Sequence, residues 1–580
     1  MVVRVQIRKG TYYDSVALLQ AQRALRELPG VEEAGVVMGT PANLALLVQA
    51  GLAAPELGQA TADDLVVAVR ATSEEAALRA LERLDVLLVM RGEVGEEYRP
   101  KSVRTAKAML QGANLALISV PGRFAASVAE EALREGLHVM LFSDNVPLED
   151  EVRLKALASQ RGLLLMGPDC GTALLRGVGL GFANGVRRGP CGIVAASGTG
   201  LQEVTSLLHR WGVGVSHGIG TGGRDLSERV GGATFQLALG ALAQDPQTSV
   251  IVLLSKPPSA AGASRILGMA AACEKPVVVN FLGADLQHTP PNVYGAATLE
   301  EAALQAARLT GAPLPELSEG TPEARTGEGR RWIRGLYSGG TLCTEAQVVL
   351  RASVGGVWSN IPLAPELRLA DPLRSVEHTL LDLGSDEFTV GRLHPMLDLE
   401  VRGRRILQEA GDPEVGVVLF DVVLGYGAHP DPASELRAVV EAARRMAQDG
   451  VAFIASVCGT ENDPQGYMRQ VETLREAGVI VAPTNARAAR LAGRLVEAHA
   501  PRRTPPPLVQ LRWDGTRRPL PEAPAPVHDL LRRGPRVVNV GLELFAESLR
   551  EQGVPVVSVD WRPPAGGDVD LLGALRQLGG

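Results

Sequence analysis

Two hydroxyls and two glycines, Ser197-Gly198-Thr199-Gly200, stand between the apolar run Gly192–Ala196 and the helical stretch Gln202–Arg210. Glycine lets backbone amides converge, the start of a helix favours negative charge, and Ser197 and Thr199 add hydroxyl donors. A phosphate, pyrophosphate or carboxylate suits that environment. No Lys-Ser or Lys-Thr follows, so the loop is not a nucleotide P-loop. The same residues also read as a plain helix cap. A second anion loop is expected at Gly218–Gly223, where Gly220, Gly222 and Gly223 are the binding candidates. Arg224 would add positive charge beside it. His217, at the exit of the strand Val213–His217, has a side chain that titrates near neutrality and is suited to moving a proton. His217 and Arg224 are therefore the candidate catalytic residues.

Weaker candidates sit at other strand ends. His288, His394 and His429 are isolated histidines, and no His-Glu-x-x-His pattern occurs. In Gly167-Pro168-Asp169-Cys170-Gly171, Asp169 can receive a ligand or order its loop, and Cys170 reads as a packed thiol. Asp382, Asp421, Glu461 and Asp463 form polar edges in the last large unit, readable as Mg²⁺ ligands, as contacts for an amide-bearing substrate, or as solvated caps. No resident metal is assigned.

The elements that must carry these loops are those of an α/β protein. The 580 residues are 46% apolar and 21% charged, which excludes a mainly disordered chain. That length corresponds to roughly three to five domains. A formal net charge of −7 gives no global basis for nucleic-acid binding. Six of the 58 basic residues are lysine, so arginine carries most of the positive charge. The five cysteines are scattered, without the spacing of a disulfide framework or a structural zinc site. The start, MVVRVQIRKG, has no signal-peptide pattern, and the apolar runs are strand-sized. A cytoplasmic location without a membrane span is expected.

Residues 1–98 read as a small N-terminal α+β unit of ferredoxin-like βαβαβα order, in which Asp14 caps a helix running to Leu28. Residues 99–188 read as a Rossmann-like, doubly wound domain. Residues 189–320 and 331–505 share one grammar: a strand, a Ser-Gly loop, a helix, and later a strand preceded by Asp-Pro (Asp245-Pro246 and Asp412-Pro413). They read as a tandem pair of flavodoxin-like domains. Residues 312–330 and 501–526 read as linking or wrapping segments. Residues 520–580 read as a short C-terminal appendage, too small for its own core and packed on the body or a partner.

The 167–171 motif, the glycine pattern over 192–232 and Asp245-Pro246-Gln247-Thr248 together resemble the α subunit of succinyl-CoA synthetase over about residues 100–310. Residues 330–500 resemble the C-terminal ligase domain of its β subunit. The whole chain is similar to the FdrA family, described as acyl-CoA-synthetase-like. The resemblance implies a CoA-binding-type Rossmann domain and flavodoxin-like domains that place helix N-termini around a phosphohistidine. It puts the phosphate-binding role on Ser197, Gly198 and Thr199, and a neighbouring nest on Gly220 and Gly222. Three features depart from the pattern. The glycine-rich CoA phosphate loop has no counterpart before Leu115. His288 stands in Leu-Gln-His-Thr-Pro rather than Gly-His-Ala-Gly. No ATP-grasp domain lies between the two halves.

FdrA-like proteins are also associated with purine and allantoin catabolism, as a component of oxamate carbamoyltransferase acting with separate partner proteins. The expected function is therefore a subunit of an acyl- or carbamoyl-transfer enzyme that binds carbamoyl phosphate or another acyl phosphate at Ser197–Gly200. A CoA-dependent acyl-CoA synthetase is the alternative, and a noncatalytic scaffold the further one. Separate protein subunits or a homodimer are the expected partners, with no nucleic acid and no membrane.

Overall fold

The computed structural model describes residues 1–9, 13, 15–61, 64–89, 99–314, 326–389, 392–448 and 450–563. The capping role expected of Asp14, part of the 312–330 linker and the end of the C-terminal unit lie outside the described residues.

The N-terminal unit runs β1 (Val2–Arg8), α1 (Ser15–Arg26), β2 (Val31–Met38), α2 (Pro41–Gln49), β3 (Leu65–Ala71) and α3 (Glu74–Val89). Its sheet has the order β1-β3-β2, antiparallel throughout, so the most apolar strand lies at the centre. Leu18, Ala21 and Leu25 recur along α1 at helical spacing and are buried.

The chain continues through α4 (Val103–Met109), β4 (Leu115–Ile118), α5 (Gly122–Arg134), β5 (His138–Leu141), α6 (Leu148–Gln160) and β6 (Leu165–Met166). The hairpin β7 (Thr172–Leu175) and β8 (Val178–Gly181) follows. Then come β9 (Arg188–Ala195), α7 (Gly198–Arg210), β10 (Val215–Gly220), α8 (Ala233–Gln244), β11 (Val250–Ser255), α9 (Ala260–Ala270) and β12 (Val277–Phe281). This unit closes with β13 (Ala284–Gln287), β14 (Val293–Gly295) and α10 (Leu299–Leu309). The strands β9, β10, β11, β12 and β14 are parallel, and β10-β9-β11-β12-β14 is the flavodoxin order. The residues of β11 are all buried, as a strand covered on both faces requires. Each such apolar side chain stabilises the fold by roughly 1.5–3 kcal/mol.

The next unit contains β15 (Trp332–Tyr337), α11 (Gly340–Leu350), β16 (Trp358–Ser359), β17 (Thr379–Asp382), α12 (Asp386–Thr389), α13 (Glu400–Ala410), β18 (Val415–Val423) and α14 (Pro432–Met446). It ends with β19 (Ala452–Cys458), α15 (Tyr467–Glu476), β20 (Ile480–Ala482) and α16 (Asn485–Val496). Its parallel sheet, β17-β15-β18-β19-β20, repeats the flavodoxin order, with β16 on one edge.

The last segment holds β21 (Val509–Arg512), α17 (Ala525–Arg533), β22 (Val537–Val540), α18 (Glu543–Glu551) and β23 (Val556–Val559). Residues 502–506 bond the second flavodoxin-like unit at Arg351, Ala352 and Val354; then β21 pairs with β13 and Arg518 bonds the Gly268 carbonyl, so residues 509–523 run along the first.

Two sheets cross the boundaries expected from sequence. The hairpin β7–β8 joins the flavodoxin-like sheet through β10 instead of staying with β4–β6. The C-terminal segment is not an appendage. Strands β22 and β23 complete a five-stranded parallel sheet, β23-β22-β4-β5-β6, in Rossmann order. Strand β4 alone would expose an apolar edge. Val538, Val540 and Val559 share its core with Ile118, Leu141 and Leu133. Asn114 fixes the junction by bonding the Gly534 carbonyl and the Arg536 amide.

Among the described residues, no helix is long and apolar enough to cross a membrane.

Candidate functional site

Each of the three parallel sheets ends its strands toward one cleft. From the first flavodoxin-like sheet comes Ser197, after β9. Its hydroxyl caps α7 by accepting from Gly200 N, and meets Thr341 Oγ1 at 2.7 Å. Thr341 belongs to Ser338-Gly339-Gly340-Thr341, the corresponding loop after β15 in the second sheet. The N-termini of α7 and α11 therefore abut. A Cβ at Gly339 would stand 2.9 Å from Thr199 Cγ2, and one at Gly200 would strike Ser197 Oγ, so both glycines are needed for the approach. At Gly198 a Cβ would make ordinary van der Waals contact with Thr172 Oγ1 at 3.6 Å, without a clash. No side chain caps α11. Beyond the Gly200 N–H taken by Ser197, the two helix ends bring their first-turn N–H groups and positive dipole ends together, a setting for an oxyanion.

Asp421 holds the second loop in place. One carboxylate oxygen accepts from Ser338 N and Oγ at 2.8 and 3.0 Å, and the other accepts from Gly339 N at 2.8 Å. Arg402, 1% exposed, pairs with the same carboxylate at 3.2 Å and also donates to the Pro395 carbonyl. The metal-ligand reading of Asp421 does not survive this: its oxygens are consumed inside the protein. Asp463 is used similarly. It accepts from Asn184 Nδ2, Gly185 N and Thr460 N, latching the first flavodoxin-like unit to the second.

The walls of the cleft are acidic. Asp144 follows β5, Asp169 follows β6, Asp382 ends β17 and Asp386 starts α12. Asp169 is exposed to solvent yet crowded by the surrounding protein; that desolvation, and then the charge of Asp144, push its carboxyl up to about 7. Burial raises Asp382 to about 6, and burial and Asp386 raise Asp144. Lys256, an exposed residue at the end of β11, opposes these acids by favouring the charged forms of Asp169 and Asp382. A Cβ at Gly340 would stand 2.5 Å from Asp382 Oδ2, which ties the acidic wall to the helix-end site.

Of the residues expected to act, Ser197, Gly198, Thr199 and Gly200 lie at this convergence. The Gly220, Gly222 and Gly223 nest is filled by protein. A Cβ at Gly222 would strike the Pro168 carbonyl, one at Gly220 the Thr172 carbonyl, and one at Gly223 would stand 3.2 Å from Asp169 Oδ2. Those glycines allow the 167–172 chain to pack closely, and its carbonyls and carboxylate disfavour an anion there. Arg224 is tied to Glu151 at 3.0 Å and to the Val146 carbonyl at 2.8 Å. His217 is 0% exposed and pairs in register with Gly192, three residues short of Ala195. That is about 10 Å back from the strand end. Its Nδ1 accepts from Arg176 N, and burial pushes its pKa down to about 4. It is a neutral core histidine, out of reach of the cleft. Burial lifts Cys170 to about 12, the inert thiol expected. His288, in the left-handed conformation, lies on the β13–β14 connection, and His429 pairs with Glu435 at 2.9 Å.

Beside the acidic wall lies the switch point of the five-stranded sheet, between β4 and β22. Strands β4 and β22 run side by side and lead into α5 and α18. The N-caps of these helices, Pro121 and Leu542, supply no capping side-chain bond. Ser119 Oγ accepts from Leu542 N at 2.8 Å, and Ser119 N donates to Val540 O. Gly541 has φ of 123° and a Cβ there would stand 2.6 Å from Ser119 Oγ, so only glycine fits. Such crevices, at the carboxyl ends of strands where the order reverses, are ligand positions in doubly wound folds. The strands that would precede Leu115 in such a sheet are supplied by residues 537–559.

Residues 336–495 match the family model "CoA-ligase", and residues 1–102 match "AllF, heavy metal-associated domain". "Uncharacterized protein YahF" of Escherichia coli (strain K12) is 44% identical over 511 residues, 86% of this chain and 99% of that protein. "Succinate--CoA ligase [ADP-forming] subunit alpha" of Aquifex aeolicus (strain VF5) is 32% identical over 151 residues, 25% of this chain and 48% of that protein. The match thus spans about half the length of that subunit. The crystal structure of PH0766 from Pyrococcus horikoshii OT3 aligns with 68% of this chain and 86% of its own at 16% identity, with a TM-score of 0.28. The heavy-metal name does not fit the residues here. Residues 1–102 contain neither cysteine nor histidine, the ligands a soft metal needs. Among the described residues, no group of three or more His, Cys, Asp or Glu side chains is placed to hold a metal ion.

Proposed function

The chain belongs to the FdrA family of acyl-CoA-synthetase-like, CoA-ligase-type proteins, and on that premise we propose that it transfers an acyl group between an acyl phosphate and the thiol of CoA. The observation that carries the reading is the switch-point crevice completed by β22, with two uncapped helix ends, opening beside the abutting ends of α7 and α11. The crevice suits the diphosphate of CoA, and the α7–α11 end suits the phosphoryl group. Lys256 offsets the negative charge of the bound phosphate.

The chemistry balances without a nucleotide. The CoA sulfur attacks the acyl carbon, the acyl C–O bond to phosphate breaks, and inorganic phosphate leaves. The thiol proton passes to Asp169 and from there to the departing phosphate. Asp169, poised at about 7 on the cleft wall, has the affinity a general base at neutral pH requires. A separate partner would make the acyl phosphate, in keeping with the word "subunit" in the relatives' names.

The test is thioester formation from CoA with acetyl phosphate, and in a parallel arm with carbamoyl phosphate, using the full chain with its neighbouring gene products. The rate is expected to rise as pH increases through about 7 and Asp169 deprotonates. Asp169→Asn should lower kcat by about 10²–10⁴-fold. Carbamoyl transfer to an amide acceptor without thioester would support the carbamoyltransferase reading instead. No CoA-dependent release of phosphate in either arm would end the CoA reading.

A further inference from the structure

We propose that His394 is a catalytic hydrogen-bond donor in this cleft, holding its proton on Nε2 and directing it to an oxygen of the group bound at the ends of α7 and α11. The proposal rests on the reading of that cleft as an acyl-phosphate site.

His394 lies between α12 and α13. Its Nδ1 accepts the backbone N–H of Met396 at 3.2 Å. A neutral imidazole whose Nδ1 accepts must carry its hydrogen on Nε2. The other edge of the ring faces the α11 loop. Nε2 stands 2.8 Å from where a Cβ at Gly384 would be; the Ser338 carbonyl is 3.0 Å and Asp382 Oδ1 3.2 Å from that same point. Glycine at 384 therefore lets the ring reach the loop that begins α11. Among the described residues, Nε2 has no hydrogen-bond partner, and it is not one of the sealed polar atoms of the core. His217 and His378, by contrast, each have a sealed Nε2 without a hydrogen-bond partner, that of His217 standing 3.7 Å from Asp245 Oδ2.

The ring is also kept neutral. Phe182 packs against it with centroids 5.5 Å apart. The ring is half-buried, and that desolvation, then the charge of Arg402, push its pKa down to about 4. A neutral donor of this kind stabilises an oxygen as charge builds on it, without giving up its proton. The tautomer also leaves no lone pair on Nε2 to accept a phosphoryl group. His394 is thus assigned a role opposite to that of a phosphohistidine.

The test is nitrogen-15 histidine NMR of the full chain, with His394→Gln identifying the resonances, and inorganic phosphate and acetyl phosphate as probes. The expected result is an Nε2–H tautomer that stays uncharged between about pH 5 and 8, with an Nε2 signal that moves on adding phosphate. His394→Ala should lower kcat for thioester formation by about 10²-fold with little change in KM, and His394→Gln, which keeps a donor, should restore part of it. Gly384→Ala, which pushes the ring aside without removing it, should show the same loss. An Nδ1–H tautomer, an imidazolium at neutral pH, or acid-labile phosphate on His394 would overturn the assignment. A His394 signal that stays still while the wild type saturates with phosphate would overturn it alone. A wild-type chain that binds no phosphate would overturn the acyl-phosphate reading together with it.

Discussion

Asp421 shows how one side chain sets the geometry of a loop that it never shares with a ligand. Its carboxylate takes the Ser338 and Gly339 N–H groups, which precede α11 and so leave the first-turn N–H groups of that helix free, and Arg402 balances its charge. Asp421→Asn keeps the size but leaves Arg402 as a buried, uncompensated cation. We expect a loss of about 3 kcal/mol in chemical denaturation. An unchanged midpoint would show that the pair is not what holds the loop. At this scale the sequence speaks unevenly. Ser197–Gly200 can be read because a strand, two hydroxyls and a helix start in order. Gly220–Gly223 misleads because glycine marks close approach, whether by a ligand or, as here, by the 167–172 chain. Asp421, directly after an apolar run, has no sequence signal that separates a metal ligand from a loop anchor.

The elements that bring the two helix ends together meet again behind them. Glu345 of α11 accepts from Leu299 N at the start of α10, and from Asn485 Nδ2 on α16. Glu203 of α7 accepts from Asn485 N. Glu300 of α10 is nearby, paired with Arg487 and Arg490 of α16. Burial, then the charge of Glu203, push Glu345 from 4.5 up to about 8. The folded protein therefore holds this proton where the unfolded chain has released it. The stability it contributes is complete below pH 4.5 and is lost as pH rises through about 8. Melting temperature should fall across that window, and Glu345→Gln should fall less, so the gap between the two widens as pH rises. Parallel profiles would refute the assignment. The flavodoxin-like elements themselves are plain in the sequence, because unalternating Val/Ile/Leu runs such as Val250–Leu254 mark strands covered on both faces. The partner of β4 is not: β22 lies more than 400 residues away in sequence, as the Asn114 bond to Gly534 shows, and local pattern carries no information about such a pairing.

At the scale of the molecule, three parallel sheets turn their carboxyl ends toward one cleft, and the chain closes the first of them with its last strands. This places the C-terminal segment beside the proposed site. It also removes the main argument from sequence against a CoA site, the missing loop before Leu115. The central claim is that the crevice between β4 and β22 receives CoA, and titrating CoA into the full chain by calorimetry tests it most directly. Leu542→Asp is the control variant: an aspartate at the N-cap of α18 suits the helix but repels a diphosphate. Saturable binding to the wild type is expected, and at least about tenfold weaker binding to the variant, with the far-ultraviolet circular dichroism unchanged. No binding to the wild type, or equal binding to both, would contradict it.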